Sequence, residues 1–95
     1  MHRGTGMSRI HIRYCTQCQW LLRSAWYAQE LLSTFGERLS EVALSPSHGG
    51  TFEIWCDGEL LWERKRDGGF PDIKSLKQQV RDHIEPNLNL GHLDR

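Results

Sequence analysis

Two cysteines separated by two residues, Cys15 and Cys18, mark the point where a strand-like pattern gives way to a helical one. Before them, apolar and polar residues alternate from Arg9 to Tyr14, which is typical of a strand with one buried face. After them, apolar residues recur at helical spacing as far as Phe35. These residues are Leu21, Ala25, Ala28, Leu32 and Phe35, with Leu22 and Trp26 beside them. The pattern therefore predicts a strand-to-helix turn, with Cys18 in or near the first turn of a helix that starts at Gln19.

The rest of the chain predicts three further strands and a second helix. Asp57-Gly58 separates two of these strands and favours a type I′ hairpin turn. Asp72 is a good N-cap for the last helix, and Pro86 ends it. The predicted strands span about 9–14, 38–44, 51–56 and 59–64, and the predicted helices span 19–35 and 72–85. The order β-α-β-β-β-α indicates a two-layer α/β sandwich, with both helices on one face of a four-stranded mixed sheet.

Length and charge narrow the class of protein. The chain of 95 residues is long enough for one small domain, which we predict at 9–86, between a flexible leader (1–8) and a loose tail (87–95). Twelve basic and twelve acidic residues cancel, so nucleic acid is not an expected partner. No apolar run is long enough for a membrane helix or a signal peptide, and we expect a cytoplasmic location.

The spacing of Cys15 and Cys18 indicates redox chemistry. A helix N-terminus favours a thiolate over a thiol, and two intervening residues allow the two sulfurs to form a disulfide. A zinc site and chemically inert thiols are the alternatives, but structural zinc usually needs four ligands. The third cysteine, Cys56, shares a predicted core face with apolar residues, so we expect it to be buried and we predict no metal site. His48 is a candidate cation beside the thiols, whereas the basic run 64–66 is expected to be a solvated loop.

Four segments resemble the selenoprotein W-like family, also called the Rdx or SelT/SelW/SelH family. They are Tyr14-Cys15-Thr16-Gln17-Cys18, the helix 20–26, the segment 49–54 and the segment 67–72. The resemblance covers about residues 9–85 and implies a thioredoxin-like fold and a small thiol or selenol oxidoreductase linked to glutathione. Many animal members carry selenocysteine at the second motif position, which is Cys18 here. In one departure from classical thioredoxins, Gly49-Gly50, rather than a proline, precedes the third strand.

The resulting hypothesis is a thiol–disulfide oxidoreductase with Cys15 and Cys18 as catalytic residues. Its substrate would be a protein or small-molecule disulfide, with glutathione as a thiol co-substrate and no organic cofactor or membrane partner. Greater exposure at the mouth of the turn would favour Cys15 as the attacking thiol, whereas the selenocysteine position of the family favours Cys18. The alternative is a redox-responsive module that binds a partner protein without turnover.

Overall fold

The computed structural model describes residues 7–90. Their elements are β1 (Ser8–Cys15), α1 (Leu21–Phe35), a 3-10 turn (Gly36–Arg38), β2 (Leu39–Ser47), β3 (Phe52–Cys56), β4 (Glu59–Glu63), α2 (Arg64–Asp67) and α3 (Ile73–Ile84). Six positions of the predicted leader (1–6) and five of the predicted tail (91–95) lie outside the described residues. Within 7–90, none of the helices has the length and apolar character needed to cross a membrane.

The four strands form one mixed sheet, as the sequence predicts, and their order across it is β2-β1-β3-β4. Strand β1 pairs in parallel with β2 and antiparallel with β3, which pairs antiparallel with β4. Between β3 and β4, Asp57 and Gly58 have φ angles of 53° and 84°, the positive values that a type I′ turn requires. The alternating pattern and the Asp-Gly pair therefore predict the hairpin correctly.

The two long helices, α1 and α3, pack on one face of the sheet, which confirms the predicted two-layer arrangement. On that face Ile10 and Ile12 of β1 lie beside Phe52 and Ile54 of β3, and all four are 0% exposed. The helices cover them with three residues that are also 0% exposed, namely Leu31, Leu76 and Val80. The other sheet face is polar, where Arg13 donates to Glu53 across the β1–β3 pair. The polar residues that alternate with the core residues along these strands thus form the face of the sheet opposite α1 and α3.

Helix α1 presents a different face to the core from the predicted one. Of the predicted stripe, Ala28 and Phe35 are buried, but Leu21 and Leu32 are 48% and 42% exposed. The residues that α1 buries are Ser24, Tyr27, Ala28, Leu31, Thr34 and Phe35. This set also has helical spacing but includes two hydroxyl residues. The prediction was wrong because apolar residues lie on several sides of this helix, so periodicity alone did not specify its rotation.

Three predicted boundaries also differ from the structure. Strand β2 extends to Ser47, through Pro46, because it lies at the edge of the sheet, where a proline is tolerated. The basic run expected to be a loop forms the short helix α2, since the Glu63 side chain caps it by accepting from the backbone N–H groups of Lys65 and Arg66. The packed part of the chain also continues beyond the predicted domain end at 86, since Leu88 and Leu90 pack against the core.

Candidate redox site

The two cysteines lie in the turn that follows β1. Cys15 is the last residue of this strand, and residues 16–19 form turns before α1 begins at Leu21. Gln19 has a φ of 61°, a left-handed value that interrupts a right-handed helix. Cys18 therefore precedes the helix instead of occupying its first turn, which corrects the predicted helix start at Gln19.

The Sγ atoms of Cys15 and Cys18 are 2.8 Å apart, with the Cys18 thiol donating a hydrogen bond to Cys15. The structure thus brings together the two residues that the sequence singled out. Their exposure is the reverse of the expected order, since Cys15 is 1% exposed and Cys18 is exposed. The reason is that Cys15 still belongs to the central strand β1, whereas Cys18 lies in the turn.

Hydrogen bonds give the two thiols different acidities. The bond donated by Cys18 lowers the pKa of Cys15, and backbone N–H groups of Gly50, Cys18 and Gln17 lower this pKa further, against the opposing effect of burial. The same sulfur–sulfur bond is the largest cause that raises the pKa of Cys18. Because a thiolate accepts hydrogen bonds better than a thiol does, the pair favours a thiolate on Cys15 and a thiol on Cys18. The donors that lower the Cys15 pKa thus lie in the turn itself and at Gly50.

A loop between β2 and β3 holds this turn in place. The Cys15 backbone N–H donates to the Thr51 carbonyl at 2.8 Å, and the Thr16 N–H donates to the Ser47 carbonyl at 3.1 Å. Gly50 has a φ of 75°, which a glycine adopts at little cost. The loop thereby brings the Gly50 N–H to the sulfurs.

Arg64, the first residue of α2, is the cation beside the site that sequence reasoning missed. Its Nε donates to the Gly50 carbonyl at 3.1 Å, and its guanidinium lies 5.1 Å from the centre of the Trp20 ring. Its positive charge lowers the pKa of Cys18, against the larger effect of the bond to Cys15. A signal was present in the basic run 64–66, but only the packing of α2 against the loop at Gly50 distinguishes Arg64 from its neighbours.

Aromatic rings link the turn to the core. Trp20 meets Phe70 edge to face with ring centroids 5.0 Å apart, and Phe70 meets Phe52 at 4.8 Å. The segment that carries Phe70 is fixed from two sides, since Trp62 Nε1 donates to the Gly69 carbonyl at 2.9 Å and the Tyr27 hydroxyl donates to the Pro71 carbonyl at 2.6 Å. The Gly-Gly-Phe-Pro segment therefore supports the residues that follow Cys18.

The other two candidates from the sequence have separate environments. His48 is exposed, and its backbone carbonyl accepts hydrogen bonds from Thr51. The positive charge that lowers the pKa of Cys18 is that of Arg64 instead. Cys56 is 0% exposed, as expected, and burial, followed by the charge of Asp57, raises its thiol pKa to about 12. Cys56 lies at the far end of β3 and takes no part in the thiol pair.

An exposed apolar patch adjoins the thiol pair. It consists of Leu21, Leu22 and Trp26, which are 48%, 83% and 45% exposed. All three lie in the first two turns of α1, directly after the turn that carries Cys18. A surface of this kind beside an accessible thiol is suited to contact with apolar groups of another molecule.

Two solved structures share this architecture at high sequence identity. One is the crystal structure of a protein from Bordetella parapertussis, which is 65% identical, with a TM-score of 0.81, and covers 82% of this chain and 99% of that one. The other is a selenoprotein W-related protein from Vibrio cholerae, which is 58% identical, with a TM-score of 0.82, and covers 83% of this chain and 99% of that one. The structural match thus extends over nearly the full length of each of these two proteins.

Curated relatives and a family model point the same way. The chain is 35% identical over 75 residues to Migration and invasion enhancer 1 of Bos taurus and 34% identical over 80 residues to the Mus musculus protein of that name. These matches cover 77% and 82% of this chain but only 62% and 65% of the relatives, so the chain spans less than two thirds of their length. The model of the Rdx family matches residues 9–82. The chain belongs to the selenoprotein W-related Rdx family, which is generally associated with redox processes.

Proposed function

We propose that this protein is a thiol–disulfide oxidoreductase whose redox centre is the Cys15–Cys18 pair. The observation that carries the proposal is the 2.8 Å separation of the two sulfurs, one accessible to substrate and the other buried. Hydrogen bonds that lower the pKa of Cys15 add to it, because a Cys15 thiolate can take the proton of Cys18 and so form the thiolate that thiol–disulfide exchange requires.

The unequal exposure of the sulfurs suggests an order of steps. The proton of Cys18 shifts to Cys15, and the exposed Cys18 thiolate attacks a substrate disulfide, releasing one thiolate, which takes up a proton. Cys15 then loses its proton and attacks the Cys18 sulfur of the mixed disulfide. This step forms the Cys15–Cys18 disulfide and releases the second substrate thiol. The protein loses two electrons, and the substrate disulfide gains them.

Two equivalents of a thiol such as glutathione would restore the dithiol by the reverse exchange. Arg64 would assist by stabilising negative charge on Cys18 during attack, since its charge already lowers the pKa of this residue. A reducing compartment such as the cytoplasm fits a resting dithiol, and no organic cofactor is needed.

Single-cysteine variants test this proposal. In a Cys15→Ser variant the resolving thiol is missing, so incubation with oxidised glutathione should trap a mixed disulfide on Cys18, detectable by mass spectrometry of the intact protein. The Cys18→Ser variant should form this adduct at least several-fold more slowly, because Cys15 is 1% exposed. Faster adduct formation on Cys15 would refute the order of steps. If neither variant forms the glutathione adduct and the oxidised wild type contains no Cys15–Cys18 disulfide, the redox function is refuted.

The second candidate function is a redox-responsive module that binds a partner protein without turnover. The apolar patch of Leu21, Leu22 and Trp26 beside the thiol pair favours it. A turnover assay separates the two candidates, because an oxidoreductase reduces many equivalents of a disulfide in the presence of excess glutathione. A module that only responds to oxidation would stop after one equivalent.

A further inference from the structure

A second group of chemically reactive side chains lies where the β3–β4 turn meets α3. Cys56 Sγ is 3.9 Å from Asp57 Oδ2, and His83 Nε2 is 3.8 Å from the same oxygen. One ligand atom from each of these three residues lies within 4.8 Å of the other two. The other ring nitrogen, His83 Nδ1, is 3.4 Å from Glu59 Oε1.

We propose that Cys56, Asp57 and His83 form a binding site for a zinc-like divalent transition-metal ion. Thiolate, imidazole and carboxylate are the three side-chain ligand types that zinc uses, at about 2.3, 2.0–2.1 and 2.0–2.2 Å. Tetrahedral geometry at these lengths places sulfur and oxygen about 3.6 Å apart, and nitrogen and oxygen about 3.4 Å apart. The observed separations of 3.9 and 3.8 Å exceed these values by a few tenths of an ångström, and the third pair, the Cys56 sulfur and a His83 nitrogen, lies within 4.8 Å.

The surroundings already orient two of the ligands. The Arg9 backbone N–H donates to Asp57 Oδ1 at 2.9 Å, which leaves Oδ2 directed towards Cys56 and His83. Glu59 stands beside Nδ1 of His83, so it can accept the Nδ1 proton while Nε2 faces the ion. A carboxylate on the outer nitrogen of a metal-binding histidine is the usual way in which the ring is fixed and its basicity raised.

Access and charge also suit a cation. The side chains of His83 and Asp57 are 23% and 40% exposed, so both can be reached from solvent, while Cys56 beside them is 0% exposed. Binding converts the Cys56 thiol to a thiolate, and its proton passes to solvent. The three protein ligands leave a fourth position for water.

This site is separate from the thiol pair. Cys56 pairs with Ile10, five residues before Cys15 along β1, which corresponds to roughly 17 Å of strand. An ion here would join the hairpin turn to the last turns of α3, and it would stabilise the folded chain because the unfolded chain lacks the assembled site.

Cobalt(II) is the probe that tests this proposal, because its absorption reports thiolate coordination, to which zinc is silent. The experiment uses a Cys15→Ser/Cys18→Ser background, so that Cys56 is the only thiol. We expect one Co²⁺ per chain, with a sulfur-to-cobalt charge-transfer band that Zn²⁺ abolishes, and a higher melting temperature with Zn²⁺. Absence of the band at saturating Co²⁺ would overturn the proposal.

Variants of the ligand His83 and of its outer partner Glu59 distinguish coordination from a simple ion pair between His83 and its carboxylates. His83→Gln should weaken Co²⁺ binding at least tenfold, and Glu59→Ala should weaken it by about 10–100-fold through loss of the outer partner. His48→Gln, which changes an exposed histidine elsewhere, is the matched control and should have no effect. Melting curves without metal verify that each variant folds. Equal affinity in the His83→Gln and His48→Gln proteins would refute the site.

Discussion

Two hydroxyl groups on the buried face of α1 should have opposite effects on stability. Tyr27, 3% exposed, donates from its hydroxyl to the carbonyl of buried Pro71 at 2.6 Å. Ser24, one turn earlier and 0% exposed, has no hydrogen-bond partner for its Oγ among residues 7–90. Tyr27→Phe and Ser24→Ala each remove one hydroxyl from one helix face, but only the first breaks a hydrogen bond.

The expected magnitudes follow from what each change leaves behind. Tyr27→Phe leaves the Pro71 carbonyl without its donor, which costs about 1–3 kcal/mol for a buried group. Ser24→Ala removes a buried hydroxyl that is unpaired within the described part of the chain, a release of about 1–3 kcal/mol. Alanine adds a few tenths of a kcal/mol through its helix propensity, and the loss of Oγ packing opposes the gain. A net stabilisation of about 1 kcal/mol is expected for Ser24→Ala.

Urea denaturation followed by circular dichroism measures both effects, provided that the dependence of free energy on urea is the same in all three proteins. In a chain of this size, 1 kcal/mol corresponds to about 4–8 °C in melting temperature. The two variants should therefore melt on opposite sides of the wild type. A neutral Tyr27→Phe change, or a destabilising Ser24→Ala change with an unaltered urea dependence, would refute the reasoning.

Three further predictions concern the thiols. In a Cys15→Ser background, Arg64→Gln should slow alkylation of Cys18 at neutral pH, because the lost cation no longer lowers the pKa of Cys18. The neighbouring Lys65→Gln change is the control, and equal slowing of Cys18 alkylation by the two changes would exclude a specific role for Arg64. Rates of alkylation against pH should give Cys15 a pKa below that of an ordinary cysteine, and Cys18→Ala should raise this pKa, because alanine removes the side chain that donates to the Cys15 sulfur. An unchanged titration midpoint in the Cys18→Ala protein would contradict this cause. Cys56, with a pKa of about 12, should remain unlabelled at pH 8 until urea unfolds the chain, and labelling of the native protein at the rate of Cys18 would disprove its burial.

Some features of the site are local and follow from the sequence. The alternation of Ile10, Ile12 and Tyr14 with polar residues places one face of β1 in the core, since side chains of a strand alternate between its two sides. Two residues between Cys15 and Cys18 keep their sulfurs within reach of each other. The Asp57-Gly58 pair specifies the hairpin turn through its positive φ angles. In each case, residues close in sequence suffice to determine the geometry.

Other features depend on contacts between residues far apart in the chain. Helix α1 is rotated so that Ser24 is buried and Leu21 is exposed, and this rotation brings Tyr27 to Pro71 across the fold, a contact that periodicity does not encode. Arg64 comes to lie beside the thiols only because α2 packs against the loop at Gly50.

The exposure of the two cysteines was also decided by tertiary structure. The predicted position of Cys15 at the mouth of the turn favoured an accessible Cys15, but this residue ends a central strand beneath a loop, and the turn exposes Cys18. Cys56 and His83 are likewise brought together by the packing of α3 against the end of the sheet. The sequence by itself therefore determined which residues could carry redox chemistry, because their spacing is local. The tertiary structure alone decided which sulfur meets solvent and which charges surround it, because burial and electrostatics depend on every element packed nearby.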